Sequence, residues 1–284
     1  LIYLKDFCNI MKWIFLISFY KGVKMRELIE GYLGKSIEGK KSKMPAKLDF
    51  IQSASGLFLG LFMWVHMLFV STILVSEDFF NSVVHFLELK FVYDNPVMSY
   101  LTSFLAACVL VVFFVHALLA MRKFPINYRQ YQILRTHSKK MNHSDTSLWW
   151  VQAFTGFIMF FLGSAHLIFI VTNADKISGD MSGDRVVSHF MWLFYAVLLV
   201  CVELHGSIGL YRLCVKWGWF EGKNVKESRK KLKTAKWIIS IFFLVLGVLS
   251  LAAFIKIGYE NYQNQTQATA MIKNYNGANY EYTI

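Results

Sequence analysis

The chain has 284 residues, 56% of them hydrophobic and only 17% charged, with a mean hydropathy of +0.42. That balance excludes an ordinary water-soluble domain and places the protein among integral membrane proteins. The net charge of +12 would suit a nucleic-acid partner, but the charges cluster in the connections between apolar segments, where they report membrane topology instead.

In chain order, residues 10–20 are apolar but interrupted by Lys12. The stretch is too short to span a bilayer and lacks a small-residue cleavage site. Met25 opens a more ordinary start, Met25-Arg26-Glu27-Leu28, so residues 1–24 read as an upstream extension, with an interfacial amphipathic segment as the alternative. Residues 1–48 form a cytoplasmic N-terminal segment, basic and polar over 35–47. Five predicted membrane helices follow, over 50–75, 97–121, 148–171, 186–213 and 237–259, within a domain spanning 49–260. None contains a proline, so each can satisfy its own backbone. The loop after the first helix carries Glu77, Asp78, His85, Glu88 and Asp94. Its apolar Phe79, Phe80, Val83, Val84 and Phe86 predict a short helix lying on the membrane surface. The loop 122–147 is polar, with His137 and His143 read as solvated. Residues 261–284 form an external tail, and the Asn-, Tyr- and Gln-rich composition at this end reads as disordered. No tandem repeat is evident. The fold class is therefore all-α: an integral membrane five-helix bundle.

Twenty-five of the 30 lysines and arginines fall on the side of the N-terminus, of the 122–147 loop and of the chain around and after the end of the fourth helix; five fall on the other side. The positive-inside rule then places the N-terminus in the cytoplasm and the C-terminus outside. Anionic lipid or an acidic partner is a secondary reading of the same charge. Cys8, Cys108, Cys201 and Cys214 show no CxxC spacing and read as small buried hydrophobes, so the chain itself cannot hold an iron–sulfur cluster.

Four histidines sit deep in four of the apolar helices: His66, His116, His166 and His205. Imidazole in a bilayer core is costly, and it is also a common haem ligand. With alternating helix directions, His66 and His166 fall in the outer half of the membrane and His116 and His205 in the inner half, the two levels roughly 15 Å apart. One such histidine alone reads as a hydrogen-bonded packing residue. Four, one per helix and level in pairs, point to bis-imidazole ligation of two b-type haems. Zinc fits less well, because no Cys, Asp or Glu completes a tetrahedral set at either level. Gly56, Gly60, Gly163, Ser164, Gly206 and Gly209 near the histidines could admit a flat macrocycle, or serve ordinary helix packing. Donors for haem propionates are Gln52, Ser53, Trp149, Trp150 and Lys216, each of which could equally be an interfacial anchor. Glu203, two residues before His205, must be protonated or wet at its depth; it reads as a proton relay or as a structural hydrogen bond.

Taken in order, these residues resemble the dihaem cytochrome b subunits of quinol:fumarate reductases of the epsilonproteobacterial type. The likeness covers residues 25–222. It rests on Lys43-Met44-Pro45-Ala46-Lys47-Leu48-Asp49, on Met121-Arg122-Lys123-Phe124-Pro125-Ile126-Asn127-Tyr128-Arg129-Gln130-Tyr131, on Glu203-Leu204-His205-Gly206-Ser207 and on Lys216-Trp217-Gly218-Trp219-Phe220. The resemblance implies a membrane anchor with two haem b groups, joined to an iron–sulfur subunit and an FAD-carrying flavoprotein in a heterotrimer that can itself pair. It implies a bacterial cytoplasmic membrane, surrounding lipid and no nucleic acid. It implies axial ligands at His66 and His166 for the outer haem and at His116 and His205 for the inner one. It also implies a menaquinol proton acceptor at Glu88 and a proton path through Glu203 and Arg185, although Arg185 read alone only snorkels. The first 24 residues and the Asn-rich tail depart from the pattern. The expected activity is menaquinol oxidation coupled to fumarate reduction on a partner. The alternatives are the reverse reaction, succinate oxidation with quinone reduction, and a haem-free proton-coupled transporter.

Overall fold

The computed structural model describes residues 43–90, 99–125, 127–141 and 143–281, so the expectations for residues 1–42, including Cys8, and for Asp94 lie outside the described residues. Among the described residues the chain is all-α, with eight helices and no strand. They are α1 (Met44–Val70), α2 (Glu77–Leu87), α3 (Ser99–Met121), α4 (Tyr128–Met141), α5 (Ser144–Thr172), α6 (Gly179–Val187), α7 (Met191–Trp217) and α8 (Val225–Glu281). Five stretches are long and apolar enough to cross a membrane: Met44–Leu74, Tyr100–Met121, Ser144–Thr172, Met191–Trp217 and Val225–Thr269.

Local chemistry sets the helix ends. Pro45 opens α1, where its missing N–H costs nothing. Ser76 caps α2 by accepting the Phe79 N–H at 3.0 Å, and Ser178 caps α6 by accepting the Met181 N–H at 3.2 Å. His143 Nδ1 accepts the Asp145 N–H at the start of α5. Gly218 ends α7 in the left-handed region at φ 67°, where a glycine carries no Cβ penalty.

The long helices pack as a ring: α1 on α3, α3 on α5, α5 on α7, and α7 back on α1. Helix α8 stands outside the ring against α7 and, to a lesser extent, α1. Large apolar side chains such as Phe58, Phe154, Phe157, Phe161, Ile238 and Val245 point outward, as they must toward lipid. Association of such helices depends on close packing rather than on hiding apolar surface from water. One end of the ring is closed by Ile73, Phe80, Val186 and Phe254, with the Phe80 and Phe254 rings edge-to-face at 5.5 Å. There α6 crosses α8 backbone to backbone, and a Cβ on Gly258 would meet the Gly183 main chain. Helix α2 is clamped to α6: Asn81 Oδ1 accepts the Gly179 N–H at 2.9 Å and Glu77 Oε1 accepts the Asp180 N–H at 3.0 Å. Burial and the neighbouring Asp180 charge hold the Glu77 carboxyl above its ordinary value.

Five expectations are corrected. The fourth apolar stretch is two helices, broken by the turn Ser188–Phe190, whose last residue is left-handed at φ 59°. Hydropathy alone merges apolar residues across such a break. The last helix begins at Val225, because its first turns are charged and carry no apolar signal. The 122–147 loop contains α4, whose polar residues form helix without a buried face. The stretch expected to be disordered at the C-terminal end continues α8 to Glu281, since extending an existing helix needs no new nucleus. Finally, Cys108 is exposed and Cys214 half-buried, while Cys201 is buried. In a membrane helix an apolar residue can face outward as readily as inward.

Candidate functional site

The ring of α1, α3, α5 and α7 brings the four histidines together two by two. The His66 and His166 ring centres lie 6.3 Å apart, and those of His116 and His205 lie 6.4 Å apart. Two imidazoles sharing one metal ion stand about 6 Å apart, since each side contributes roughly 2 Å of metal–nitrogen bond and about 1 Å from nitrogen to ring centre. Along α1, His66 is ten residues from Gly56, which abuts His116. The two pairs are therefore about 15 Å apart along the helix axis. Among the described residues no group of three or more His, Cys, Asp or Glu side chains gathers to hold a metal ion, so the histidines meet strictly as pairs.

The rings of the second pair are oriented from behind. His116 Nδ1 faces the Gln52 carbonyl at 3.2 Å and Ser55 Oγ at 3.1 Å, and His205 Nδ1 faces the Gln152 carbonyl at 2.8 Å. A proton on Nδ1 donated to that carbonyl leaves Nε2 as the free lone pair, the arrangement that ligating histidines use. The close approach depends on glycine. A Cβ on Gly56 would lie 2.8 Å from His116 Cε1, and one on Gly156 would lie 2.6 Å from His205 Cε1. In the first pair His66 stacks on Phe62 at 5.8 Å and His166 meets the edge of Tyr195 at 5.9 Å.

Gln52 contributes its carbonyl to His116, while its side-chain Oε1 is buried without a partner among the described residues. Ser53 accepts a hydrogen bond from Lys216 Nζ at 2.8 Å, and Lys216 also pairs with Asp49. Trp149 and Trp150 pack edge-to-face on each other and onto Phe124 and Tyr131 at the α4 end. Arg185 on α6 donates to Ser182 Oγ at 2.8 Å, lies over the Phe169 ring at 4.5 Å and faces His166 and Tyr195. Glu203 is 1% exposed; the Trp64 indole and Ser240 hydroxyl face its carboxylate, yet neither oxygen meets strict hydrogen-bond geometry. Glu88 is also 1% exposed, just past the end of α2, with Lys90 Nζ 2.6 Å from its Oε2. His137 and His143 are exposed at the α4 end.

Several residues that shape the site escaped sequence reading: Gln152, Gly156, Arg212 and Lys90. Arg212 donates to Gln152 Oε1 at 2.6 Å, fixing the side chain whose backbone carbonyl meets His205. A signal for two of them was present. Gln52, Ser55 and Gly56 precede His66 with the spacing at which Gln152, Thr155 and Gly156 precede His166. This spaced repeat is not a tandem one, and it marks α1 and α5 as matching halves. In each half the glutamine carbonyl and the glycine face a histidine on the following long helix, His116 on α3 or His205 on α7.

The model for the succinate dehydrogenase/fumarate reductase transmembrane subunit family matches residues 128–246. A fumarate reductase cytochrome b subunit of Wolinella succinogenes is 54% identical over 235 residues, covering 82% of this chain and 91% of that protein. Proteins of the same name from two Helicobacter pylori strains are 48% and 49% identical over 244 residues, covering 85% of this chain and 93% of theirs. With five apolar membrane-length helices along the same chain, these likenesses identify a multi-pass protein of the bacterial inner membrane. The chain belongs to the fumarate reductase cytochrome b subunits.

Proposed function

We propose that this chain is the dihaem membrane anchor of a quinol:fumarate reductase, with its N-terminus in the cytoplasm and its C-terminus outside. The observation that carries the reading is the pair of histidine pairs, each with the ring spacing of two ligands on one iron. His66 and His166 would hold the outer haem b, and His116 and His205 the inner one. The Gly56 and Gly156 cradles and the carbonyl-bound Nδ1 atoms of His116 and His205 suit that assignment at the inner pair. When bound, the two haems supply one-electron iron centres that link a menaquinol on the outer side to partner subunits within. Those partners are an iron–sulfur subunit and a flavoprotein with FAD, forming a heterotrimer that itself pairs in surrounding lipid.

The chain's own residues then bind, orient and move protons. Gln52, Ser53, Lys216, Trp149 and Trp150 stand at the inner end as donors for propionates. Glu88 accepts a hydroxyl proton from menaquinol. Glu203 and Arg185 belong to a proton path across the membrane. Support for that path is a run of buried polar side chains at the junction of α1, α7 and α8. Among the described residues Trp64 Nε1, Ser207 Oγ, Ser240 Oγ and Lys236 Nζ are buried without aligned hydrogen-bond partners, and Trp64 and Ser240 face the Glu203 carboxylate. Groups of this kind exchange protons through ordered water.

The reading is tested on the assembled complex with two electron donors. Glu88→Gln should lower fumarate reduction driven by a reduced dimethylnaphthoquinone by about 100-fold or more, the usual contribution of a general base. Reduction driven by a viologen dye, which feeds the partner subunits, should be unchanged, and both haem spectra should persist. Full quinol-driven activity in the variant means that Glu88 is not the base.

A further inference from the structure

Helix α2 ends in a way that its sequence does not favour. The Leu89 N–H donates to the Phe86 carbonyl at 3.1 Å and the Lys90 N–H donates to the His85 carbonyl at 3.0 Å. These two bonds are a Schellman cap, which places the intervening residue in the left-handed region, normally as glycine. Here that residue is Leu89, at φ 56° and 43% exposed. A leucine disfavours that conformation because its Cβ crowds the following carbonyl, so the turn is held by what surrounds it. Its consequence is positional. The turn folds the chain back so that Lys90 reaches Glu88, and Lys90 Nζ sits 2.6 Å from Oε2 of a carboxylate that is almost wholly buried.

No other ion pair or hydrogen bond of the Glu88 carboxylate occurs among the described residues. The contact is a charge pair rather than an aligned hydrogen bond, and it engages Oε2. The elements packed on α2 are α6, α1, the turn Ser71–Leu74 and, through Phe80 on Phe254, α8. Their charged groups are engaged elsewhere. On α8, Lys256 pairs with Glu260. Asp180 and Asp184 of α6 both bind Asn261, and Arg185 binds Ser182 and lies over Phe169. On α1, His66 is turned to His166. On α2 itself, Glu77 is bonded to the Asp180 backbone, Asp78 and His85 are exposed or half-buried, and neither makes an ion pair among the described residues. Lys90 is thus the cation on Glu88.

We propose that Lys90 is a positioning residue for quinol oxidation: its ion pair with Oε2 holds the buried Glu88 carboxylate in the one orientation from which it accepts the quinol hydroxyl proton. This rests on the reading of Glu88 as the proton acceptor. Lys90 itself makes and breaks no covalent bond. The proton passes from the quinol oxygen to the Glu88 carboxylate, which the cation holds in one place before the transfer.

The test uses the complete complex in membranes, with the reduced dimethylnaphthoquinone and the viologen dye as parallel donors. Lys90→Met should lower kcat for quinol-driven fumarate reduction about tenfold and leave KM for the quinol near the parent value. Lys90→Arg should keep the parent kcat, and viologen-driven activity should stay level in every variant. Should Lys90→Met fail to assemble with its haems, Lys90→Gln provides the same comparison with Lys90→Arg. A neutral variant with the parent kcat, while Glu88→Gln collapses quinol activity, overturns the role of Lys90 and leaves that of Glu88 intact. Undiminished activity in Glu88→Gln overturns both.

Discussion

Replacing His66 or His166 with alanine should remove one haem and spare most of the other, and replacing His116 or His205 should do the reverse. The expectation follows from the ring spacings, 6.3 Å and 6.4 Å, and from the ten-residue step between the two levels along α1. A six-coordinate iron that loses one axial imidazole keeps a single protein ligand, whereas the distant pair keeps both of its own. Haem extracted per chain should fall from two to about one in each variant, with the lost spectral component differing between the two groups. The same logic extends to Gly156→Val. Its side chain would enter the space of His205 Cε1, now 2.6 Å from an ideal Cβ, so the His116/His205 component should be the one that suffers. If His66→Ala and His116→Ala removed the same component, the pairing would be wrong.

Glu203→Gln should keep both haems and yet stop turnover in energised cells. On the proposed reading, quinol oxidised on the outer side would release protons there, while fumarate reduction would consume them inside. Without a compensating proton, each electron crossing inward works against the membrane potential at about 2.3 kcal/mol per 100 mV. That corresponds to roughly a 50-fold loss for each charge moved. Glutamine preserves the shape of the side chain at a position where Trp64 and Ser240 face it, but it cannot take up and release the proton. Growth on fumarate respiration should therefore fail, whereas quinol-driven activity in uncoupled membranes should return toward the parent value. Normal growth of the variant would remove Glu203 from the path.

Much of this was legible in the sequence, for reasons that differ from one residue to another. The five spans were visible because a helix in lipid must be apolar for about 20 residues. The histidine pairs followed from helix direction, since depth in the membrane is a count of residues from a polar end. What escaped was set by the backbone and by neighbours remote in sequence. The break at Ser188–Phe190 lies within a stretch that hydropathy joins, and Phe190 gives no sign that it is left-handed. Lys90 carried no signal of its own, because its contact with Glu88 depends on the unfavourable conformation of Leu89. The second-pair supports were hidden for another reason. The Gln52 and Gln152 carbonyls act through the main chain, which the identity of a side chain does not announce. Only the repeated spacing of glutamine, glycine and histidine on α1 and α5 could have disclosed them.

Haem counting on the purified chain, joined to low-temperature optical and electron paramagnetic spectra, bears on the two histidine pairs with the fewest intermediate assumptions. Two haem b per chain are expected, both low-spin and six-coordinate, with signals separable by redox titration because the pairs lie in different surroundings. One haem per chain, none, or a high-spin centre with an open axial position would contradict the assignment of His66 with His166 and His116 with His205 as two complete ligand sets.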